Sequence, residues 1–181
     1  MASGTNAASI LNAGSGKVLH ELTGHTNRVN SATFSLDGKN LVTAGGNTAI
    51  IWDVDSGKES RKLEGHIGVI SAAFSPDGGK VITTCIRAGF RIWDVNSGSV
   101  LQRLEEHNLV ASSAVFSPDG KIIAALNENV VRIFDGETGR KLQEWIGHEK
   151  RISFAIFSPD GKKIVTSDYG GTAQIWDLKT L

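Results

Sequence analysis

A repeat of about 41 residues runs through the chain and limits the folds it can adopt. Four histidines follow one another at a constant step of 41 residues, at His25, His66, His107 and His148. Four aromatic residues step by 41, 41 and 42 residues, at Trp52, Trp93, Phe134 and Trp176. Because independent landmarks keep one period, the chain is predicted to build one small structural unit four times.

Each repeat contains four short runs whose length and composition suit β-strands rather than helices. In the first repeat these runs are residues 29–34, 40–44, 49–52 and 58–63. Turn-forming residues separate them, and the first two runs of the later repeats are joined by Ser-Pro-Asp-Gly. Proline presets φ, aspartate bonds nearby backbone and glycine takes the strained position, so each repeat is predicted to be a four-stranded antiparallel meander. In the first repeat Leu36 replaces the proline, which is expected to loosen that turn without removing it.

The two ends of the chain carry complementary parts of a repeat. Residues 17–22 resemble a fourth strand without the first three, and the last repeat stops after its third strand. The pattern therefore predicts sixteen strands in four sheets, one of them assembled from both ends. Residues 1–16 lack the pattern and are expected to form a flexible lead, with residues 17–181 as the folded domain.

Composition excludes several classes of partner. Lysine plus arginine equal aspartate plus glutamate at 19 each, so nucleic acid and anionic membranes are not expected partners. No apolar run approaches the ~20 residues that cross a bilayer, and the first residues do not resemble a signal peptide. The single cysteine, Cys85, cannot form an intrachain disulfide, which favours a reducing, cytoplasmic location.

Dipeptides in phase with the repeat point to a known family. Gly-His opens the repeats at 24–25, 65–66 and 147–148, and Trp-Asp closes them at 52–53, 93–94 and 176–177. Glu106-His107 and Phe134-Asp135 are the variants. On these residues the chain resembles the WD-repeat (WD40) family over residues 17–177, which implies an all-β propeller of four-stranded antiparallel blades. The resemblance gives structural roles to the repeated positions His25, His66, His107, His148, Trp52, Trp93, Phe134, Trp176, Asp53, Asp94, Asp135 and Asp177.

Four blades are fewer than the seven or eight that rings of this family usually contain. At roughly 45–50° per blade, four blades span about half a circle, and two chains would close a ring of eight. The expected assembly is a two-fold homodimer in which residues 17–22 of one chain complete the last blade of the other. A tight four-bladed monomer is the alternative.

The repeated histidines favour structural hydrogen bonding over metal binding, because each belongs to a different repeat without a second ligand at suitable spacing. The resemblance implies a network of this histidine with a hairpin aspartate, a Ser or Thr and the tryptophan. The aspartate is expected six residues before the aromatic residue, where Gly46, Arg87, Glu128 and Gly170 stand. The network is therefore expected to be incomplete, with the third repeat as its only candidate.

No residue pattern indicates catalysis or a cofactor. Cys85 lies in a strand-like run and is interpreted as inert packing. Neither a nucleophile elbow nor a catalytic triad spacing occurs. The segment Ala13-Gly14-Ser15-Gly16-Lys17 lacks parts of a phosphate-binding loop and is interpreted as a turn.

Function in such a fold is expected in its loops. The resemblance places the Gly-His loops and the hairpins between second and third strands on one rim, which usually binds partners. At those positions the repeats differ, and the candidate partner-binding residues are Arg28, Asn47, Arg87, Glu128, Asn129, Arg151 and Tyr169. The sequence thus predicts a non-enzymatic scaffold for a protein or peptide, unless these are ordinary solvated loops. The alternative function is a fragment or engineered piece of a larger propeller that only assembles with itself into a closed ring.

Overall fold

The computed structural model describes residues 6–85, 89–104 and 111–178, and these ranges contain seventeen β-strands and no helix. Within them, no helix is therefore long and apolar enough to span a membrane. The strands are β1 Ala7–Leu11, β2 Val18–Thr23, β3 Val29–Phe34, β4 Asn40–Gly45, β5 Thr48–Asp53, β6 Glu59–Leu63, β7 Val69–Phe74, β8 Lys80–Cys85, β9 Phe90–Asp94, β10 Val100–Leu104, β11 Ala111–Phe116, β12 Ile122–Asn127, β13 Val130–Asp135, β14 Lys141–Ile146, β15 Ile152–Phe157, β16 Lys163–Asp168 and β17 Ala173–Asp177.

The strands form successive antiparallel sheets, as the repeat predicts. Blade I is β3–β6, blade II is β7–β10, blade III is β11–β14 and blade IV is the three-stranded β15–β17. A two-stranded N-terminal hairpin, β1–β2, precedes them. The first strand of each blade packs against the first strand of the next, so the predicted all-β, four-bladed propeller-like arrangement is confirmed.

Apolar residues fill the space between neighbouring blades. Ala49, Ile51 and Leu63 of blade I pack against Ala72 and Phe74 of blade II. Comparable clusters join blade II to blade III and blade III to blade IV. Each fully buried large side chain contributes about 1.5–3 kcal/mol, so these contacts stabilise the stack of blades. Blades II and III therefore have an apolar neighbour on both faces.

The turn between the first and second strands keeps its geometry where proline is absent. The Ser35 hydroxyl donates to the Asp37 carboxylate at 2.6 Å, and Ser75 donates to Asp77 at 2.5 Å in the proline-containing turn of blade II. Gly38 N donates to Ser35 O at 3.0 Å, which closes the turn. Leu36 thus leaves the turn in place, as expected.

The N-terminal hairpin corrects the expectation for residues 1–16 and the count of sixteen strands. β1 lies inside the expected flexible lead and pairs with β2, with Ala8 opposite Leu22 and Leu11 opposite Val18. This register is that of β5 and β6 shifted by one repeat, with Ala49 opposite Leu63.

The turn of this hairpin also repeats the later ones. Asn12 Oδ1 accepts a hydrogen bond from Ser15 N at 2.8 Å, just as Asp53 Oδ1 accepts one from Ser56 N at 2.8 Å. β1 is therefore a third strand and β2 a fourth strand of one further repeat. The expected partner of residues 17–22 is the last blade of a second copy, and within the single chain β1 lies on the edge of β2 that such pairing would use.

Candidate protein-interaction rim

Where the structure describes them, the Gly-His loops and the hairpins between second and third strands meet at one end of the blades. The hairpin of blade I contacts the loop that enters blade II: Gly46 O accepts from Val69 N at 2.7 Å, and Asn47 Oδ1 accepts from Gly68 N at 3.0 Å. These bonds join the loops of blades I and II at this end of the molecule.

The backbone bond recurs between blades III and IV, while the asparagine amide there donates rather than accepts. Glu128 O accepts from Ile152 N at 2.6 Å, and the Asn129 side chain donates to His148 O at 3.0 Å. Glu128 has a φ of 49°, which is unusual for a residue other than glycine. The hairpin is thus held in one conformation by the neighbouring loop.

The rim residues predicted from sequence divide into two groups. The side chains of Asn47 and Asn129 are used in the loop-to-loop hydrogen bonds. The side chains that face solvent are those of Arg28, Glu128, Arg151 and Tyr169. Arg87, like His107, lies outside the described residues. The structure therefore leaves charged and aromatic groups, rather than the amides, available at the rim.

Blades III and IV form the most distinctive part of this rim. Tyr169 is 76 % exposed, and its backbone N donates to Arg151 O at 3.0 Å. Next to Arg151 lies a cavity of about 380 Å³ lined by Glu128, Asn129, Glu149 and Arg151. This part of the rim offers an aromatic ring, a guanidinium and two carboxylates, a combination suited to a charged peptide segment.

A hydrogen-bonded network supports the rim from inside blade IV. His148 Nδ1 lies 3.0 Å from Asp168 Oδ2, and His148 Nε2 lies 2.7 Å from Thr166 Oγ1. The Trp176 indole donates to the same Thr166 hydroxyl at 2.8 Å. The backbone N of Thr172 donates to Asp168, which lowers the pKa of this carboxyl below its ordinary range. The carboxylate therefore stays ionised and fixes both the hairpin and the histidine.

Blade I contains a shorter form of this network. In blade I, Thr43 Oγ1 lies 2.7 Å from His25 Nε2 and accepts from the Trp52 indole at 2.8 Å. Burial lowers the pKa of His25, which favours its neutral form.

Blade II places a cysteine where blade IV has aspartate. Thr83 Oγ1 accepts from the Trp93 indole at 2.8 Å and lies 3.0 Å from His66 Nε2. Cys85 Sγ lies 2.6 Å from His66 Nδ1. Burial lowers the pKa of His66 to about 4 and raises that of the Cys85 thiol to about 11. At neutral pH the two groups are therefore an uncharged pair, and Cys85 is not an activated nucleophile.

The expectation about the network is wrong in its location. The aspartate position is the last residue of the second strand, where Gly45, Cys85, Asn127 and Asp168 stand opposite equivalent first-strand residues. Blade III has Ala125 in place of the threonine and Phe134 in place of the tryptophan, and both lie in an apolar cluster. Each network contains a second-strand threonine, Thr43, Thr83 or Thr166, which lies two residue pairs from the tryptophan in the strand register.

The described ranges 6–85, 89–104 and 111–178 contain no cluster suited to metal binding. No group of three or more His, Cys, Asp or Glu side chains there could hold a metal ion. The repeated aspartates Asp53, Asp94 and Asp135 instead cap the turns after the third strands, by accepting hydrogen bonds from Ser56, Ser97 and Thr138. Asp177 pairs with Lys163 at 2.9 Å.

Comparison with known proteins finds four repeats, each offset by one strand from a blade of the structure. The family model described as WD domain, G-beta repeat matches the chain four times in succession, at residues 16–53, 57–94, 98–135 and 139–177. Each match begins at or just before a fourth-type strand and ends with the following third strand. No curated protein matches the chain significantly.

Proposed function

Because the chain belongs to the WD40 repeat family, we propose that it is a protein-interaction scaffold whose rim at blades III and IV binds a peptide segment of a partner. Domains of this fold are generally scaffolds of this kind, and the chemistry of the rim supports the assignment. The observation that carries the proposal is Tyr169, an aromatic ring 76 % exposed beside Arg151. Tyrosine and arginine are among the residues enriched at the hot spots of protein interfaces.

The groups around the cavity define the segment that would fit. A carboxylate of the partner would pair with Arg151, while an apolar side chain would cover the ring of Tyr169. A basic group would meet Glu128 and Glu149, which line the same cavity. The ligand is therefore a short, extended peptide that carries an acidic residue next to an apolar one.

A peptide library displayed on phage, selected on the immobilised chain, tests this proposal. The enriched peptides would then be measured by calorimetry against Arg151→Ala and Tyr169→Ala, with Lys162→Ala as the control. Lys162 is an exposed basic residue in a turn at the opposite end of blade IV. Each rim variant should lose at least about tenfold in affinity, or about 1.4 kcal/mol. Equal affinity for the chain and both rim variants would show that the site lies elsewhere.

A second candidate function is self-assembly into a closed ring, and one observation favours it. Ile175 of blade IV is 70 % exposed, whereas the equivalent Ile51, Ile92 and Ile133 of blades I to III are 1 % exposed or less. Sedimentation velocity across a wide range of concentrations tests this candidate. A mass of two chains supports the eight-bladed ring, and a constant mass of one chain excludes it.

A further inference from the structure

The face of blade IV that would meet a following blade is apolar and uncovered; this face of each blade is termed its front face. In blades I to III the front face is buried by the next blade. In blade IV it exposes Phe154 by 54 %, Ile156 by 52 % and Ile175 by 70 %. The chain itself shows what covers such a face, namely the opposite or back face of another blade.

The back face of blade I is the matching surface, and it is only partly covered. Phe34 on β3 is 53 % exposed, whereas the equivalent Phe74 and Phe157 are 8 % and 7 % exposed. Beside Phe34 lies a cavity of about 330 Å³, lined also by Ile10, Ala32 and Leu41. Equivalent space in the interior of the stack is filled by side chains of first and second strands, which the N-terminal hairpin lacks.

The N-terminal hairpin covers the rest of this back face with residues equivalent to those that a blade would place there. Ala8, Ile10 and Leu22 pack against Leu41 and Trp52. The equivalent residues of blade I, Ala49, Ile51 and Leu63, pack in the same way against Val81 and Trp93 of blade II.

The sequence of β1 resembles that of β17, the third strand of blade IV. Ala8-Ser9-Ile10 occupies the positions of Ala173-Gln174-Ile175, since both segments are third strands and Leu11 stands where Trp176 stands. β17 pairs with β16 but with no fourth strand among those described. β2 is a fourth strand whose third-strand edge is held by β1. A β17 strand from another copy that paired with β2 would therefore need the edge of β2 that β1 holds.

We propose that β1 is an internal substitute for β17 of a second copy of this chain, and that assembly proceeds by exchange of these two strands on β2. This inference rests on the self-assembly given above as the second candidate function. By the register of β5 and β6, Ala173 of the second copy would lie opposite Leu22, and Trp176 opposite Val18. The front face of blade IV would then cover Phe34 and fill the neighbouring cavity.

β2 can stay in place during the exchange because blade I holds it independently of β1. His20 Nε2 lies 2.9 Å from Asp55 O in the turn of blade I, and Leu22 shares an apolar cluster with Leu41, Ile50 and Trp52 of blade I. The equivalent Arg61 of blade I donates to Asn96 O of blade II at 2.9 Å. In both β2 and β6, the side chain of the third residue therefore binds a backbone carbonyl of the following blade.

A disulfide that locks β1 onto β2 tests the exchange. Ser9 and Glu21 lie directly opposite each other, so Ser9→Cys with Glu21→Cys places two sulfurs on one side of the hairpin. Cys85 is fully buried and does not compete. Sedimentation of the double variant would be measured oxidised and after reduction, with the unmodified chain and the Ser9→Cys variant as controls under both conditions.

The oxidised double variant should associate at least about tenfold more weakly than the same protein after reduction, while the controls show no such difference. Equal association of the locked and reduced forms, with the unmodified chain also assembling, would overturn the exchange and leave self-assembly standing. Failure of every form to associate would overturn self-assembly and the exchange together. Ile175→Asp should abolish association in the reduced protein, because that exposed residue would become buried.

Discussion

At the scale of single residues, three histidines at equivalent repeat positions have different hydrogen-bond partners. His148 is bound to the carboxylate of Asp168, His66 faces the thiol of Cys85, and His25 lies 3.3 Å from the Thr48 hydroxyl. The neutral partners around His66 and His25 do not compensate a charge on the ring. Lowering the pH is therefore expected to destabilise blades I and II before blade IV.

We predict that the free energy of unfolding falls as pH decreases from 6.5 to about 4, because the pKa of His66 is lowered from 6.5 to about 4 in the folded chain. Above pH 6.5 the histidine is neutral in both states, so its contribution is constant. Below that pH the unfolded state binds the proton preferentially, and the loss reaches on the order of 3 kcal/mol at pH 4. His25 acts in the same direction.

Guanidinium unfolding at a series of pH values measures this dependence. His66→Asn should flatten the slope between pH 6.5 and 4, whereas His20→Gln, at the surface of the hairpin, should keep it. Asp168 does not contribute to this slope. Its pKa is lowered from the ordinary 3.8, so its contribution to the free energy of unfolding is lost only below pH 3.8. A slope unchanged in His66→Asn would show that this residue is not the group responsible.

At the scale of elements, strand positions were accessible from sequence and the hydrogen-bond networks were not. The run 29–34 is β3, and the run 40–44 differs from β4 by one residue, because alternating apolar residues bounded by glycine and aspartate define both limits. The network threonines are ordinary strand residues in sequence. Only the register, which places Thr43 two pairs from Trp52 across β4 and β5, brings them to the indole.

The first-to-second-strand turns allow a stabilising substitution. Leu36 is 83 % exposed and occupies the position of Pro76 in a turn with the same hydrogen bonds. Leu36→Pro should therefore raise the free energy of unfolding by about 0.4–1 kcal/mol, because proline restricts the unfolded chain. Urea unfolding measures the change, and Pro76→Leu should show a loss of similar size. A destabilised Leu36→Pro would mean that the turn of blade I cannot accept the φ of proline.

At the scale of the whole molecule, the period predicted four blades but not the strand that precedes them. Leu11 and Asn12 stand one repeat before Trp52 and Asp53, so the signal for β1 is present but altered in both residues of the dipeptide. The repeat model also begins only at residue 16. What identified β1 was backbone pairing and the turn at Asn12, which depend on three-dimensional contacts rather than on residue identity.

The seventeen strands of ranges 6–85, 89–104 and 111–178 exceed a whole number of four-stranded blades by one, so the two ends of the stack differ. The surplus strand lies at the amino end, so that end is capped by its own chain, whereas the carboxyl end presents β17 without a cap among the described strands. A second copy could pair its β17 with β2 only after β1 leaves β2, although β17 itself needs no such change. Such one-sided protection would slow uncontrolled polymerisation of a repeat protein that carries an open sheet edge.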